Sequence, residues 1–142
     1  MHPILKQLAS LPDGITVSHS PNPVKAQLGG RSGSKDTWLY TTNAAAQSDQ
    51  IVIEEFGSFT WHNGQWVFAN FTKKPFSGND FAEWYGCPNA TLTVGNTYSD
   101  ASNWTGGEVF RSGKMKWYFI GRNAMGNRVK GEAIIETLPQ SE

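Results

Sequence analysis

Apolar and polar positions alternate with a period of two through most of this chain, which is the pattern of half-buried β-strands. The clearest stretch is "IVIEEFGSFTWHNGQWVFANF", residues 51–71. Asn63-Gly64 supplies the two positive-φ positions of a type I′ turn, so it predicts a hairpin with a two-residue loop. That loop sets the register: His62 faces Gln65, Trp61 faces Trp66, Thr60 faces Val67 and Phe59 faces Phe68. Strict alternation then puts Ile51, Ile53, Glu55, Gly57, Phe59 and Trp61 on one face, joined by Trp66 and Phe68. This face is the more apolar and is expected to meet the core, with Glu55 in its middle and Glu54 pointing away. Gly57 opposite Asn70 also fits a bulge, which would shift the faces by one and bring Glu54 inside instead.

The remaining segments extend the pattern. Pro3 suits a first helical position, and Ile4, Leu8 and Leu11 share one helical face, so a short helix precedes "PDG" at 12–14. Strands are expected at 15–19, 24–28 and 37–43, with a Gly/Ser-rich loop at 29–36 and a loop or helical turn at 44–49. "DFAEWYG", 80–86, reads as a short helix with Asp80 as its cap and Glu83 three residues on. A strand follows at 90–100, with Tyr98 and Asn96 on the face of Leu92 and Val94. "ASNWTGG", 101–107, reads as a loop. Residues 108–123 hold one or two strands bent near Ser112-Gly113, in which Met115, Trp117 and Phe119 share a face opposite Lys114, Lys116 and Tyr118. The last strand, 128–138, sets Ala133 and Ile135 against Glu132, Ile134 and Glu136.

About eight strands in hairpin order with two short helices predict a mainly β, antiparallel fold, because no strand–helix alternation calls for parallel crossovers. Eight strands can close into a small barrel that holds side chains or one small ligand. A two-sheet β-sandwich is the alternative. At 142 residues, with no linker or internal repeat, the chain is read as a single domain, 1–142.

Composition narrows the partners. Formal net charge is zero, which argues against nucleic acid or an anionic membrane surface. Charged residues are 17% of the chain, below the usual share of about 25%, while six Trp, eight Phe and four Tyr supply many rings for a core or for a cavity wall. The single cysteine, Cys87, excludes an intrachain disulfide. "MHPILKQLASLPDG" lacks a basic n-region and no run reaches membrane-span length, so a cytoplasmic protein is expected. The sequons at Asn70, Asn89 and Asn103 carry meaning only with secretion.

Candidate chemistry is sparse. His2, His19 and His62 show no ligand spacing, so neither a metal nor another cofactor is expected. "GGRSGSK" lacks the spacing of a phosphate-binding loop. Cys87 follows a helix end, where the dipole does not favour a thiolate. The basic run Arg111, Lys114, Lys116, Arg122, Arg128 and Lys130, interrupted by Trp117 and Tyr118, reads as a solvated hairpin face or an anion site. Glu55 is the acid–base candidate, since a desolvated carboxyl can take or give a proton, with Tyr98 beside it.

The layout of strands resembles small ligand-holding β-barrels, calycin-like in arrangement, and the resemblance is architectural alone. Three functions follow as expectations. The first is a barrel enclosing a small apolar or aromatic molecule, walled by Trp38, Phe59, Trp61, Trp66, Phe68, Trp117 and Phe119, with Tyr40, Asn70 and Asn96 as polar contacts. The second is a cofactor-free isomerase, cyclase or lyase using Glu55 in that pocket. The third is a carbohydrate-binding or interaction module with Trp84, Tyr85 and Trp104 as stacking platforms. Open strand edges would also permit a homodimer.

Overall fold

The computed structural model describes residues 2–28, 36–107 and 113–139. Residues 29–35 of the expected 29–36 loop, and residues 108–112, Arg111 and Ser112 of the expected bend among them, lie outside the described residues. Helix α1 (Pro3–Ser10) is followed by β1 (Ile15–Ser20), β2 (Val24–Lys25), β3 (Gln27–Leu28), β4 (Asp36–Ala46), β5 (Ile51–His62), β6 (Gln65–Phe68) and β7 (Phe76–Ser77). Then come α2 (Gly78–Trp84), a 3-10 turn at Pro88–Ala90, β8 (Thr91–Leu92), β9 (Thr97–Gly107), β10 (Gly113–Asn123) and β11 (Arg128–Leu138).

Two sheets curl into a β-barrel-like fold, mainly antiparallel. In the first sheet the order is β2-β11-β10-β5, and only the short β2 runs parallel to its neighbour. The far edge of β5 is covered in turn by β8 at Ile51–Val52, β7 at Glu55–Phe56 and β6 at Phe59–His62. In the second sheet β4 carries β9 along one edge, and β1 and β3 in succession along the other. The two sheets join on the β1/β11 side. There the Gly14 and Lys130 amides donate to the Lys130 and Pro12 carbonyls, and Trp38 Nε1 donates to the Leu138 carbonyl at 2.7 Å. Gly131 is needed at this seam, because a Cβ there would run into the Ile15 backbone.

The hairpin register is the one that Asn63-Gly64 predicts, pair for pair from Phe59↔Phe68 to His62↔Gln65. The face assignment of β5 differs. Pairing with β10 slips between Ile120↔Glu55 and Gly121↔Ile53, which leaves Glu54 as an extra residue in a bulge. Ile51 and Ile53 therefore share the inner face with Phe56, Ser58 and Thr60. Glu55, Gly57, Phe59 and Trp61 turn outward. Gly57 is not the bulge; it clears space for the Asn70 amide, whose Nδ2 would lie 2.7 Å from a Cβ at that position.

Two apolar clusters result. The inner one holds Ile53, Phe56, Phe81, Trp117, Phe119 and Ile135 among its buried residues. The outer one is Leu8, Phe59, Tyr118 and Ile120, and α1 seals it with Ile4, Leu5 and Leu11. The helix begins at His2, whose Nδ1 accepts the Ile4 amide and whose ring stacks on Phe68. Helix α2 starts earlier than the sequence suggests: Ser77 is its cap, and Asp80 is the reciprocal member of the capping box. Residues 44–46 continue β4, and 101–107 continue β9. β8 and β9 are separate strands divided by a turn at Gly95.

Candidate functional site

Among the described residues no strand pairs β9 with the short strands on the far edge of β5, and a cleft of about 770 Å³ lies between them. Its floor is the inner face of the first sheet: Ser58, Thr60, Met115 and Trp117. One wall comes from the chain after β6 and from α2, with Phe71, Phe76 and Trp84. Phe76 packs 4.8 Å from the Trp84 ring and 5.4 Å from Phe71, centroid to centroid, so this wall is one continuous aromatic surface. The opposite wall is β9, contributing Asp100 and Ser102 to Thr105. Four consecutive residues of a strand line the cleft there. A strand face would offer only alternate ones, so the cleft runs along the open edge of β9.

Local hydrogen bonds hold both rims. Asn70 Oδ1 accepts the Ser58 amide at 2.8 Å, and Asn70 Nδ2 donates to the Lys74 carbonyl at 2.8 Å, which fixes the turn carrying Phe71. On β9 the Ser102 amide donates to Asp100 Oδ1 and the Trp104 amide to Asn103 Oδ1. These side chains supply acceptors that a neighbouring strand would otherwise offer. Asn103 Nδ2 donates to Thr42 Oγ1 at 2.8 Å, and Thr42 Oγ1 in turn lies 2.9 Å from His19 Nδ1. Trp117 Nε1 donates to Tyr40 Oη at 2.8 Å. Burial pushes the Tyr40 phenol above its ordinary range, and the Asp100 charge adds to the push. Tyr85 is raised for the same two reasons.

Of the residues expected at a site, the structure brings Asn70 and Trp117 to the cleft, together with Trp84 and Trp104 of the expected stacking platforms, whereas Tyr85 is buried in the core. Trp38, Tyr40 and Phe119 are buried in the inner core, Tyr40 directly beneath Trp117 through its hydrogen bond. Phe59, Trp66 and Phe68 lie on the outer side with α1, not toward the barrel interior. Trp61 is also outside, 41% exposed, its ring 5.1 Å from Trp66 and with the Lys114 ammonium 4.5 Å above it. Tyr98 and Asn96 meet at Thr93 Oγ1, at 2.9 and 2.7 Å, in the turn before β9.

Glu55 requires a correction. The bulge turns its carboxyl outward, where Oε2 accepts the Tyr118 hydroxyl at 3.1 Å and Oε1 stands 3.6 Å from Arg128. Glu54 is beside it, paired with Arg122 at 2.7 Å and Arg128 at 3.2 Å. Neither carboxyl lines the cleft. The basic run is accounted for in the same place: Lys116 and Lys130 pair with Glu132, and Lys130 with Asp13 at 2.7 Å. Cys87 is fully buried, and burial pushes its thiol up. Among the described residues no group of three His, Cys, Asp or Glu could hold a metal ion, and no helix is long and apolar enough to cross a membrane.

Sequence reasoning singled out Trp104 but missed that 101–107 is strand and forms a wall of the cleft. Its Gly, Ser and Asn content reads as loop, although Trp104 and Thr105 are strand formers. It also missed Phe71 and Phe76, which flank a Lys-Lys-Pro turn with no periodicity to reveal a shared wall.

No family model and no curated protein matches this chain. Among solved structures it is similar to a Bordetella pertussis protein designated ApaA, with a TM-score of 0.53 and 12% identity. The alignment covers 92% of this chain and 98% of that one. At that identity the likeness is one of fold.

Proposed function

We propose that this protein binds a small molecule with an apolar or aromatic body in the cleft along β9. The observation that carries the reading is the lining. A floor of Trp117 and Met115 and a wall of Phe71, Phe76 and Trp84 face a strand edge bearing Ser102, Thr105 and Asp100. Such a mixture of rings with a few convergent polar groups, in a cleft of this size, is the usual composition of a ligand site. The hydroxyls of Thr60, Ser102 and Thr105 make no hydrogen bond to another described residue, whereas Asn70 and Asn103 are occupied in holding the rims. Free hydroxyls beside rings suit a ligand with one flat apolar face and a polar edge.

Ser102 is exposed and stands on the open edge, so Ser102→Trp should fill the mouth without disturbing the core. Ligand-observed NMR with indole as the probe tests this. Saturation transfer from the wild-type protein should disappear in Ser102→Trp while Tm stays within about 2 °C. Transfer that is absent from the wild type, or that persists unchanged in the variant, would rule the reading out.

A further inference from the structure

The turn between β6 and β7 brings charge to the aromatic wall of the cleft. Asn70 and Phe71 at its start and Phe76 at its end line the cleft, and between them stand Lys73 and Lys74, both exposed. Among the described residues neither ammonium has a carboxylate at ion-pairing distance, whereas Lys116 and Lys130 are paired on the outer face. The turn is tied to itself and to β5. Besides the two Asn70 bonds to Ser58 and Lys74, Thr72 Oγ1 donates to the Lys74 carbonyl at 3.0 Å and the Lys73 amide to the Asn70 carbonyl at 2.9 Å. Within it Lys73 sits at φ 62°, in the left-handed region, which Gly adopts without cost and Asn at less cost than other residues. Stability alone does not call for a long cationic side chain there, beside a ring as bare as Phe71 at 74% exposure. Backbone held in such a region by its surroundings is a mark of ligand clamps.

We infer that the ligand of this cleft is an aromatic carboxylate, with its anionic end at the Lys73–Lys74 turn. The inference rests on the cleft being a ligand site and adds the charge and the orientation of what enters it. The rings of Phe71, Phe76 and Trp84 take the flat apolar face. The anionic end lies at the mouth on that same side, away from Asp100, which stands on the opposite wall and accepts the Ser102 amide. Lysine suits such a place, because its point charge on a flexible stem reaches an anion without demanding one geometry. An exposed contact of this kind is weak and is screened by salt, so it selects between ligands of one shape more than it adds affinity.

Indole-3-acetate and indole-3-ethanol separate these contributions, because they share a ring and an arm of similar length and differ in charge. Titration of the full chain with each at low salt, followed by ligand-observed NMR, should give the acetate an affinity about fivefold higher. The difference should shrink as salt is raised. Lys73→Asn suits the left-handed backbone and Lys74→Gln suits an exposed position, so the double variant should keep the wild-type Tm. In it the preference for the acetate should be lost while the alcohol binds as before, and each substitution alone should remove part of the preference. Equal affinities in the wild type, or a preference for the alcohol, would overturn the anion assignment and leave the cleft reading intact. Binding of neither probe would also overturn it, and the indole experiment with Ser102→Trp then decides whether the cleft reading falls too. A preference that survives the double substitution would place the anion elsewhere and refute the assignment.

Discussion

The two faces of the β5–β10–β11 sheet come from the same strands and are finished differently. On the outer face, Phe59, Tyr118 and Ile120 are covered by the apolar side of α1, and beyond the helix the surface becomes a ladder of ion pairs from Glu54 to Lys130. On the inner face, Phe56, Trp117 and Phe119 are covered by the second sheet and α2, but the cover stops at β9 and leaves the cleft. A helix of two turns suffices to close a small apolar patch. A sheet can close a larger one only by pairing its edges, and where, among the described residues, no strand pairs with β9 on the side away from β4, space is left that a ligand can fill.

The contrast can be broken from either side. The largest effect is expected from Phe56→Ala, since this fully buried ring touches Phe76, Phe81, Tyr85 and Phe119; a loss of about 3–5 kcal/mol in urea unfolding is expected. Leu8→Ala removes the buried anchor of α1 and should cost about 2–4 kcal/mol, while indole binding at the cleft is retained. If Leu8→Ala abolished binding, the two faces would not be independent. A smaller effect depends on pH. His19 lies between Thr42 and the Ala133 carbonyl, and burial holds its imidazole below the ordinary value of 6.5. Below about pH 6.5 the unfolded chain takes up a proton that folded His19 refuses, so stability present above that pH falls as the solution is acidified toward the folded value. Urea midpoints measured across that window should decline more steeply for the wild type than for His19→Gln; parallel slopes would show that His19 is not responsible.

Much of this arrangement was legible in the sequence, and what was not has local causes. Asn63-Gly64 fixed the hairpin register because a two-residue loop admits no slip. In β10 the alternation of Met115, Trp117 and Phe119 against lysines held because nothing interrupts it. In β5 the same logic misplaced Glu55, since apolar residues stand on both faces near Phe56 and Phe59 and hydrophobicity could not reveal that Glu54 breaks the phase. The short helix was visible from Ile4, Leu8 and Leu11, but its docking place was not, because no periodicity says which sheet face lacks a cover. The cleft was the least legible feature. Its walls are a segment that reads as loop and rings brought together only by tertiary folding.

The bulge at Glu54 also determines which genetic changes β5 can absorb. Substitution at this position alters a half-exposed side chain and its two arginine partners, a small loss for a surface ion pair. Deletion of the same codon would restore unbroken alternation with β10 held fixed from Phe56 onward. It would leave Ile51 and Ile53 inside with Phe56 and Val52 outside, because the pairs Glu55↔Ile120 and Ile53↔Gly121 already skip Glu54. A deletion within the unbulged stretch after Phe56 would instead turn over the side chains on one side of it, so single-residue deletions in β5 fall at opposite ends of tolerance according to whether they meet the bulge.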